Sequence, residues 1–210
     1  MGKMHNLIII FLFVSLSLNL TSKQILLGPN FNSQEEIQEA LIDLEPGDVL
    51  TLEAGEYFFE DGISLDVSDV IFEGSGLDDT ILNFGSQISG AQGLLVTSDG
   101  VTLRDFAILD AKGDAIKVIG ANGINMIRLR TEWSGGPKET NGAYGFYPVE
   151  SKNVLIDGCV AIGASDAGIY VGQSQNIIVK NSIAQYNVAG IEIENSYYAD
   201  VFDNLASHNT

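Results

Sequence analysis

The C-terminal part of the sequence repeats itself with a fixed period. Ala167–Val171 has its counterpart in Ala189–Ile193, and Asn187 returns as Asn209, so that each position has its counterpart 22 residues further on. A period in the twenties is typical of a solenoid, in which every repeat forms one coil and contacts only the coils beside it. This repeat limits the chain to architectures made of stacked coils.

The apolar residues of each repeat alternate with polar ones, as Ile169 and Val171 do, and short apolar runs are separated by Gly, Asn, Ser and Asp. Alternation with a period of two predicts strands and not helices. We therefore predict an all-β fold, a single-stranded parallel β-helix with about 22 residues per coil and roughly seven coils. The spacing also predicts one buried column, with steps of 22, 30, 23 and 22 residues, formed by Leu94, Ile116, Phe146, Ile169 and Ile191. The step of 30 indicates an insertion near Trp133–Asn141.

The N-terminus predicts export. Lys3 and His5 precede the apolar run Leu7–Leu18, which has the order of a secretory signal and is short for a membrane span. We predict a signal peptide at residues 1–22 and a periplasmic or extracellular protein that does not associate with the membrane after cleavage. The alternative, an uncleaved N-terminal anchor, stays open at this point.

A helix is predicted between the signal and the first coil. Ser33 and Glu36 have the spacing of a capping box, and Pro46-Gly47 ends the helical pattern. Residues 23–46 would then be an N-terminal segment whose capping helix covers the open end of the β-helix at 47–210. Because the repeat calls for another strand after Thr210, we expect the C-terminus to be truncated.

The charge and the cysteine content exclude several functions. With 28 acidic and 10 basic residues the formal charge is −18, which disfavours binding to nucleic acid and to anionic membranes. Cys159 is the only cysteine, and the only histidines are His5 and His208. A cysteine nucleophile would lack a positioned base, and a Cys/His metal site would lack ligands.

The predicted register places an aromatic and charged face on the outside of the coils. Leu95, Lys117, Tyr147, Tyr170 and Glu192 each follow a residue of the buried column. Asp114 and Asp166 precede their strands, and the insertion would bring Trp133 and Tyr144 to the same edge. Aromatic rings pack against sugar rings, and charged groups bind hydroxyls, so this face is suited to carbohydrate. Tyrosines that only support β-sheet packing are the alternative reading.

Four segments resemble a known family, the exported bacterial parallel β-helix repeat proteins: Gly113–Val118, Thr131–Pro137, Asn141–Val149 and Gly163–Gly172. The resemblance implies a right-handed β-helix with three strands per coil in the pectin-lyase-like superfamily. That superfamily contains polysaccharide lyases, uronan epimerases, glycoside hydrolases and non-catalytic relatives. The resemblance therefore favours carbohydrate as a ligand without implying a reaction.

Two kinds of reaction are compatible with the exposed residues. In a uronan lyase or epimerase, Lys117, Arg128 or Arg130 would neutralise the carboxylate and Tyr147 or Tyr170 would exchange the proton. In an inverting glycoside hydrolase, Asp114 and Asp166 would act as the acid and base pair, although both residues can also serve as turn caps.

Since no constellation of catalytic residues is complete, the first hypothesis is a binding module for a polysaccharide or an exported protein. The candidate residues of the exposed face fall into two groups, according to whether the protein reacts with its ligand or only binds it. The catalytic candidates are Asp114, Lys117, Asp166 and Tyr170, and the substrate-binding candidates are Trp133, Tyr144, Tyr147 and Glu192. No cofactor is predicted; Ca²⁺ is the ion that Asp114, Asp166, Glu192 and Glu194 would bind if they clustered.

Overall fold

The computed structural model describes residues 22–30 and 33–210. The predicted signal peptide, apart from Ser22, lies outside this range. The described chain winds into a parallel β-helix with one short helix, α1 (Ser33–Ile42), near its start. No helix in the described ranges has the length and apolar character needed to cross a membrane.

Three parallel sheets run along the β-helix, and each coil from β2 to β19 contributes one strand to each sheet. Sheet A contains β1 (Gln24–Leu27), β2 (Val49–Leu52), β5 (Ile71–Glu73), β8 (Val101–Arg104), β11 (Asn122–Ile127), β14 (Lys152–Asp157), β17 (Gln175–Lys180) and β20 (Tyr197–Phe202). Sheet B contains β3 (Gly55–Phe58), β6 (Thr80–Asn83), β9 (Ala107–Leu109), β12 (Arg130–Glu132), β15 (Val160–Ile162), β18 (Ile183–Gln185) and β21 (Leu205–Ser207). Sheet C contains β4 (Ile63–Leu65), β7 (Gln92–Val96), β10 (Asp114–Ile119), β13 (Phe146–Val149), β16 (Ala167–Gly172) and β19 (Ala189–Glu194).

The predicted buried column is confirmed in sheet C. Leu94, Ile116, Phe146, Ile169 and Ile191 are register partners on successive strands. The first four are fully buried, whereas Ile191 is half-buried because β19 is the last strand of sheet C in the described chain. The alternation along each strand then places the next residue on the outside, which fixes the composition of the outer face.

The N-terminal segment contributes a strand as well as the helix. β1 pairs in parallel with β2 and becomes the first strand of sheet A, so sheet A has one strand more than the spacing from Gly47 predicts. The helix α1 buries Ile37 and Leu41 and lies against the first strands of sheets B and C. The Gln38 side-chain amide donates to the Ser64 carbonyl and accepts from the Ser64 N–H, which satisfies the free edge of β4.

Polar side chains connect the coils at the corners between sheets. At the corner between sheets B and C, the Asn187 Oδ1 accepts from the Ala164 N–H at 2.9 Å, and the Asn209 Oδ1 accepts from the Asn187 N–H at 3.0 Å. At the corner between sheets C and A, the N–H of Ser151 donates to the Ser174 hydroxyl, and the N–H of Ser174 to the Ser196 hydroxyl. Each corner N–H thus obtains its acceptor from the following coil, which explains why Asn187 recurs as Asn209.

We predict that Asn187→Ala lowers the free energy of unfolding by roughly 2–3 kcal/mol, because it leaves the buried Ala164 N–H and Ala161 carbonyl without their side-chain partner. Urea unfolding followed by circular dichroism measures the change. The control is Asn125→Ala, which removes an amide on the outer face that donates only to the Thr102 hydroxyl, and which should cost less than about 0.5 kcal/mol. Equal losses in the two variants would contradict the corner assignment.

Candidate functional site

The outer face of sheet C carries the candidate residues in a single row. Lys117 is the register partner of Leu95 on one side and of Tyr147 on the other. Tyr170 is the partner of Glu192, and the pairing of Phe146 with Ile169 places Tyr147 beside Tyr170. We call Lys117, Tyr144, Tyr147, Tyr170 and Glu192 the tyrosine strip. All five side chains are partly exposed.

Three tyrosine rings of the strip touch one another. The ring centroid of Tyr144 lies 4.6 Å from that of Tyr147 and 4.7 Å from that of Tyr170, and the rings of Tyr147 and Tyr170 meet edge to face at 5.2 Å. Tyr147 and Tyr170 come from consecutive coils, whereas Tyr144 comes from the end of the insertion. The result is a continuous, half-exposed aromatic surface across two coils.

Lys117 and Asp114 form an ion pair on β10, one coil before Tyr147. The Lys117 Nζ lies 3.5 Å from an Asp114 carboxylate oxygen and 4.6 Å from the centroid of the Tyr147 ring. Burial raises the pKa of the Asp114 carboxyl, and the neighbouring Lys117 ammonium partly offsets that rise. The ammonium is therefore held both by a carboxylate and by the face of an aromatic ring.

Tyr144 connects the two aspartates that the sequence proposes as an acid and base pair. The Ala115 N–H donates to the Tyr144 carbonyl at 2.9 Å, which holds the main chain of Tyr144 beside Asp114. Burial, and after it the nearby Asp166 carboxylate, raises the pKa of the Tyr144 phenol well above its ordinary value. The structure thus brings Asp114 and Asp166 to the same tyrosine, one at its backbone and the other at its ring end.

Tyr170 is held flat along its own strand. Its phenol donates to a carboxylate oxygen of Glu194, and this hydrogen bond, followed by burial, raises the pKa of Tyr170 to about 12. A Cβ at Gly172 would lie 2.6 Å from the Tyr170 ring, so the ring occupies the space that a side chain at position 172 would need. Gly172 thus determines where the Tyr170 ring lies, and the sequence analysis missed it; an outward-facing glycine two residues after a tyrosine was the available signal.

Trp133 does not belong to the exposed face. It is 5% exposed, and its Nε1 donates to the Ala111 carbonyl at 2.7 Å. The reason is the alternation of β12, in which Thr131 points inward and Glu132 outward, so that the next side chain turns inward again. The indole anchors the base of the insertion and is not available as a platform for a sugar.

The insertion forms a structured loop at the corner between sheets B and C. The Ser134 N–H and hydroxyl donate to the Asp110 carboxylate at 2.7 and 2.6 Å. The Asn141 side-chain amide donates to the carbonyls of Gly136 and Gly163. The loop is thus fixed to the coil before it and to the coil after it.

A groove of about 260 Å³ lies on the C-terminal side of the insertion. Lys138 and Glu139 of the loop line one wall, and Tyr186 and His208 line the other. The rings of Tyr186 and His208 are stacked with centroids 5.0 Å apart. The sequence analysis did not single out this pair, although the two residues are 22 positions apart and thus follow the repeat.

The other cations proposed from the sequence lie away from the strip. Arg128 is in the turn after sheet A and binds both carboxylate oxygens of Asp105 at 2.6 Å. Arg130 lies in sheet B and is paired with Glu132. Neither arginine is positioned to act together with Tyr147 or Tyr170.

Within residues 22–30 and 33–210, no group of three or more His, Cys, Asp or Glu side chains is arranged to hold a metal ion. The four carboxylates considered for Ca²⁺ instead have separate surroundings. Asp114 is paired with Lys117, Asp166 lies near the phenol of Tyr144, and Glu194 accepts a hydrogen bond from Tyr170. Glu192 makes no hydrogen bond or ion pair in the described chain.

The chain belongs to the right-handed β-helix family, because the family profile described as the right handed beta helix region matches residues 61–210. The match supplies the handedness of the coil. No curated protein matches the sequence. Among solved structures, a pectin methylesterase crystallised with a hexasaccharide is similar to this chain, at 7% identity over 90% of this chain and 91% of the other, with a TM-score of 0.46.

We predict that Glu194→Gln lowers the pKa of Tyr170 from about 12 toward its ordinary value, because the largest cause of the shift is the hydrogen bond to that carboxylate. Phenolate absorbance measured against pH, as the difference between wild type and variant, reports the change. Glu192→Gln is the matched control and should shift the curve less, since Glu192 contributes the smallest part. Superimposed curves for wild type and Glu194→Gln would show that the phenol is bound elsewhere.

Proposed function

We propose that this protein is an exported, non-catalytic glycan-binding solenoid whose ligand lies on the tyrosine strip. The observation that carries the proposal is the contact of three half-exposed tyrosine rings on the regular outer face of sheet C. Aromatic pairs of this kind offer apolar area at a low cost in side-chain entropy, and sugars present apolar faces to match.

The surroundings of the rings support binding more than proton abstraction. The Tyr170 phenol donates to Glu194, the Tyr144 phenol lies near the Asp166 carboxylate, and both phenols have raised pKa values. A phenol in this state stays protonated at neutral pH and is a poor general base. The lyase and epimerase alternatives therefore receive little support from the strip, whose ring faces remain as its main contact surface.

The stacking prediction uses two substitutions. Tyr147→Ala removes the ring that contacts both other tyrosines, and Gly172→Ala forces the Tyr170 ring off its strand. Each should weaken binding to a neutral oligosaccharide roughly tenfold, which corresponds to about 1.4 kcal/mol of lost stacking. Isothermal titration calorimetry against a panel of soluble hexasaccharides measures the loss.

The matched control is Tyr197→Ala on sheet A, where the side chain is 70% exposed and away from the strip. This variant should bind as the wild type does, and all three variants should melt near the wild-type temperature. Binding that survives Tyr147→Ala would place the ligand elsewhere. If no oligosaccharide of the panel binds and the protein instead captures a purified exported protein, the ligand is a protein and not a glycan.

One observation favours a second function, inverting glycoside hydrolysis. Asp114 and Asp166 both lie beside Tyr144, and burial raises the pKa of Asp114 as a general acid requires. If the strip hydrolyses its ligand, Asp114→Asn and Asp166→Asn should each abolish the release of reducing ends while leaving oligosaccharide binding within about threefold. Absence of reducing ends from every glycan that binds the wild type would leave binding as the function.

A further inference from the structure

The tyrosine strip and the side chains around it carry more negative than positive charge. Lys117 is the cation of the strip, and this ammonium is already paired with Asp114. Glu192 of the strip is the register partner of Tyr170, and two further carboxylates flank the rings, Asp166 near Tyr144 and Glu194 at Tyr170. A uronate polymer would be repelled along this row, because its carboxylates would meet carboxylates.

One ring of the strip, that of Tyr147, already contacts an ammonium group within the protein. The Lys117 ammonium rests over the Tyr147 ring at 4.6 Å while a carboxylate lies 3.5 Å from it. This combination of an aromatic face and a carboxylate is how proteins recognise ammonium groups. One coil further on, Tyr170 and the half-buried Glu192 provide the same two elements, and Glu192 has no partner in the described part of the chain.

We propose that the strip selects glycans with free amino groups, such as glucosamine polymers, and that a sugar ammonium binds between the Tyr170 ring and Glu192. This inference rests on the proposed glycan-binding function and names the ligand class. Stacking of the sugar rings on Tyr144 and Tyr147 would supply affinity that is independent of charge. The ammonium and Glu192 would supply the preference over neutral and acidic glycans.

The test compares three hexasaccharides of equal length: a glucosamine oligomer, its fully N-acetylated form and a galacturonate oligomer. Calorimetry is done at a pH where the amine is charged and the carboxylates are ionised. At low salt the glucosamine oligomer should bind roughly tenfold tighter than the N-acetylated one, and the preference should shrink as salt is added. The galacturonate oligomer should bind most weakly of the three.

Two charge variants separate a local site from the net charge of the protein. Glu192→Gln should reduce the preference for the amine to less than about threefold, because it weakens binding of the glucosamine oligomer more than binding of the N-acetylated one. Asp203→Asn removes one negative charge from an exposed turn after sheet A and should leave the preference intact. Equal effects of the two substitutions would overturn the inference, because the preference would then reflect net charge.

The outcomes also distinguish this inference from the proposed function. If the N-acetylated or galacturonate oligomer binds as tightly as glucosamine and Tyr147→Ala weakens that binding, glycan binding stands and the amine preference is wrong. If no oligomer binds in a manner that depends on Tyr147, the proposed function fails, and the ligand class fails with it.

Discussion

The parallel pairing of each coil with the coil before it is the constraint on which the rest of the structure depends. Because every strand is in register with its neighbour, a residue on the outside meets an outside residue one coil away, as Lys117 meets Tyr147. The corner ladders reinforce this register, since the Asn187 and Ser174 side chains accept from the preceding coil. A slip by one residue would bury the tyrosines and expose the core.

The same constraint explains where the insertion is tolerated. Extra residues inside a strand would shift the register of every later coil, whereas extra residues at a corner leave the pairing of Ile116 with Phe146 intact. The buried Trp133 and the two bonds of Asn141 fix the loop to the coils on both sides. The loop therefore delivers Tyr144 to the strip in a defined position, although Tyr144 stands outside the regular repeat.

Spacing alone predicted the regular part of the fold and the row of outward residues, because both follow from a period that can be counted along the chain. It did not predict β1, since Gln24–Leu27 is a short apolar run that precedes the regular repeats. The burial of Trp133 and the flat position of Tyr170 over Gly172 depend on local packing at single positions. Such contacts have no periodic signature, so they became visible only in three dimensions.

The hydrogen bonds of the strip decide which of its chemical groups remain for a ligand. Asp114 is paired with Lys117, the Tyr170 phenol donates to Glu194, and the Tyr144 phenol lies near the Asp166 carboxylate. The polar ends of the strip thus satisfy one another and hold the rings in place, which leaves aromatic surface as the shared feature. Glu192 differs from these carboxylates, because it makes no hydrogen bond or ion pair in the described chain. A strip whose single unpaired charge is negative and lies beside an aromatic ring is better suited to a cationic sugar than to the acidic sugars that a uronan enzyme would bind.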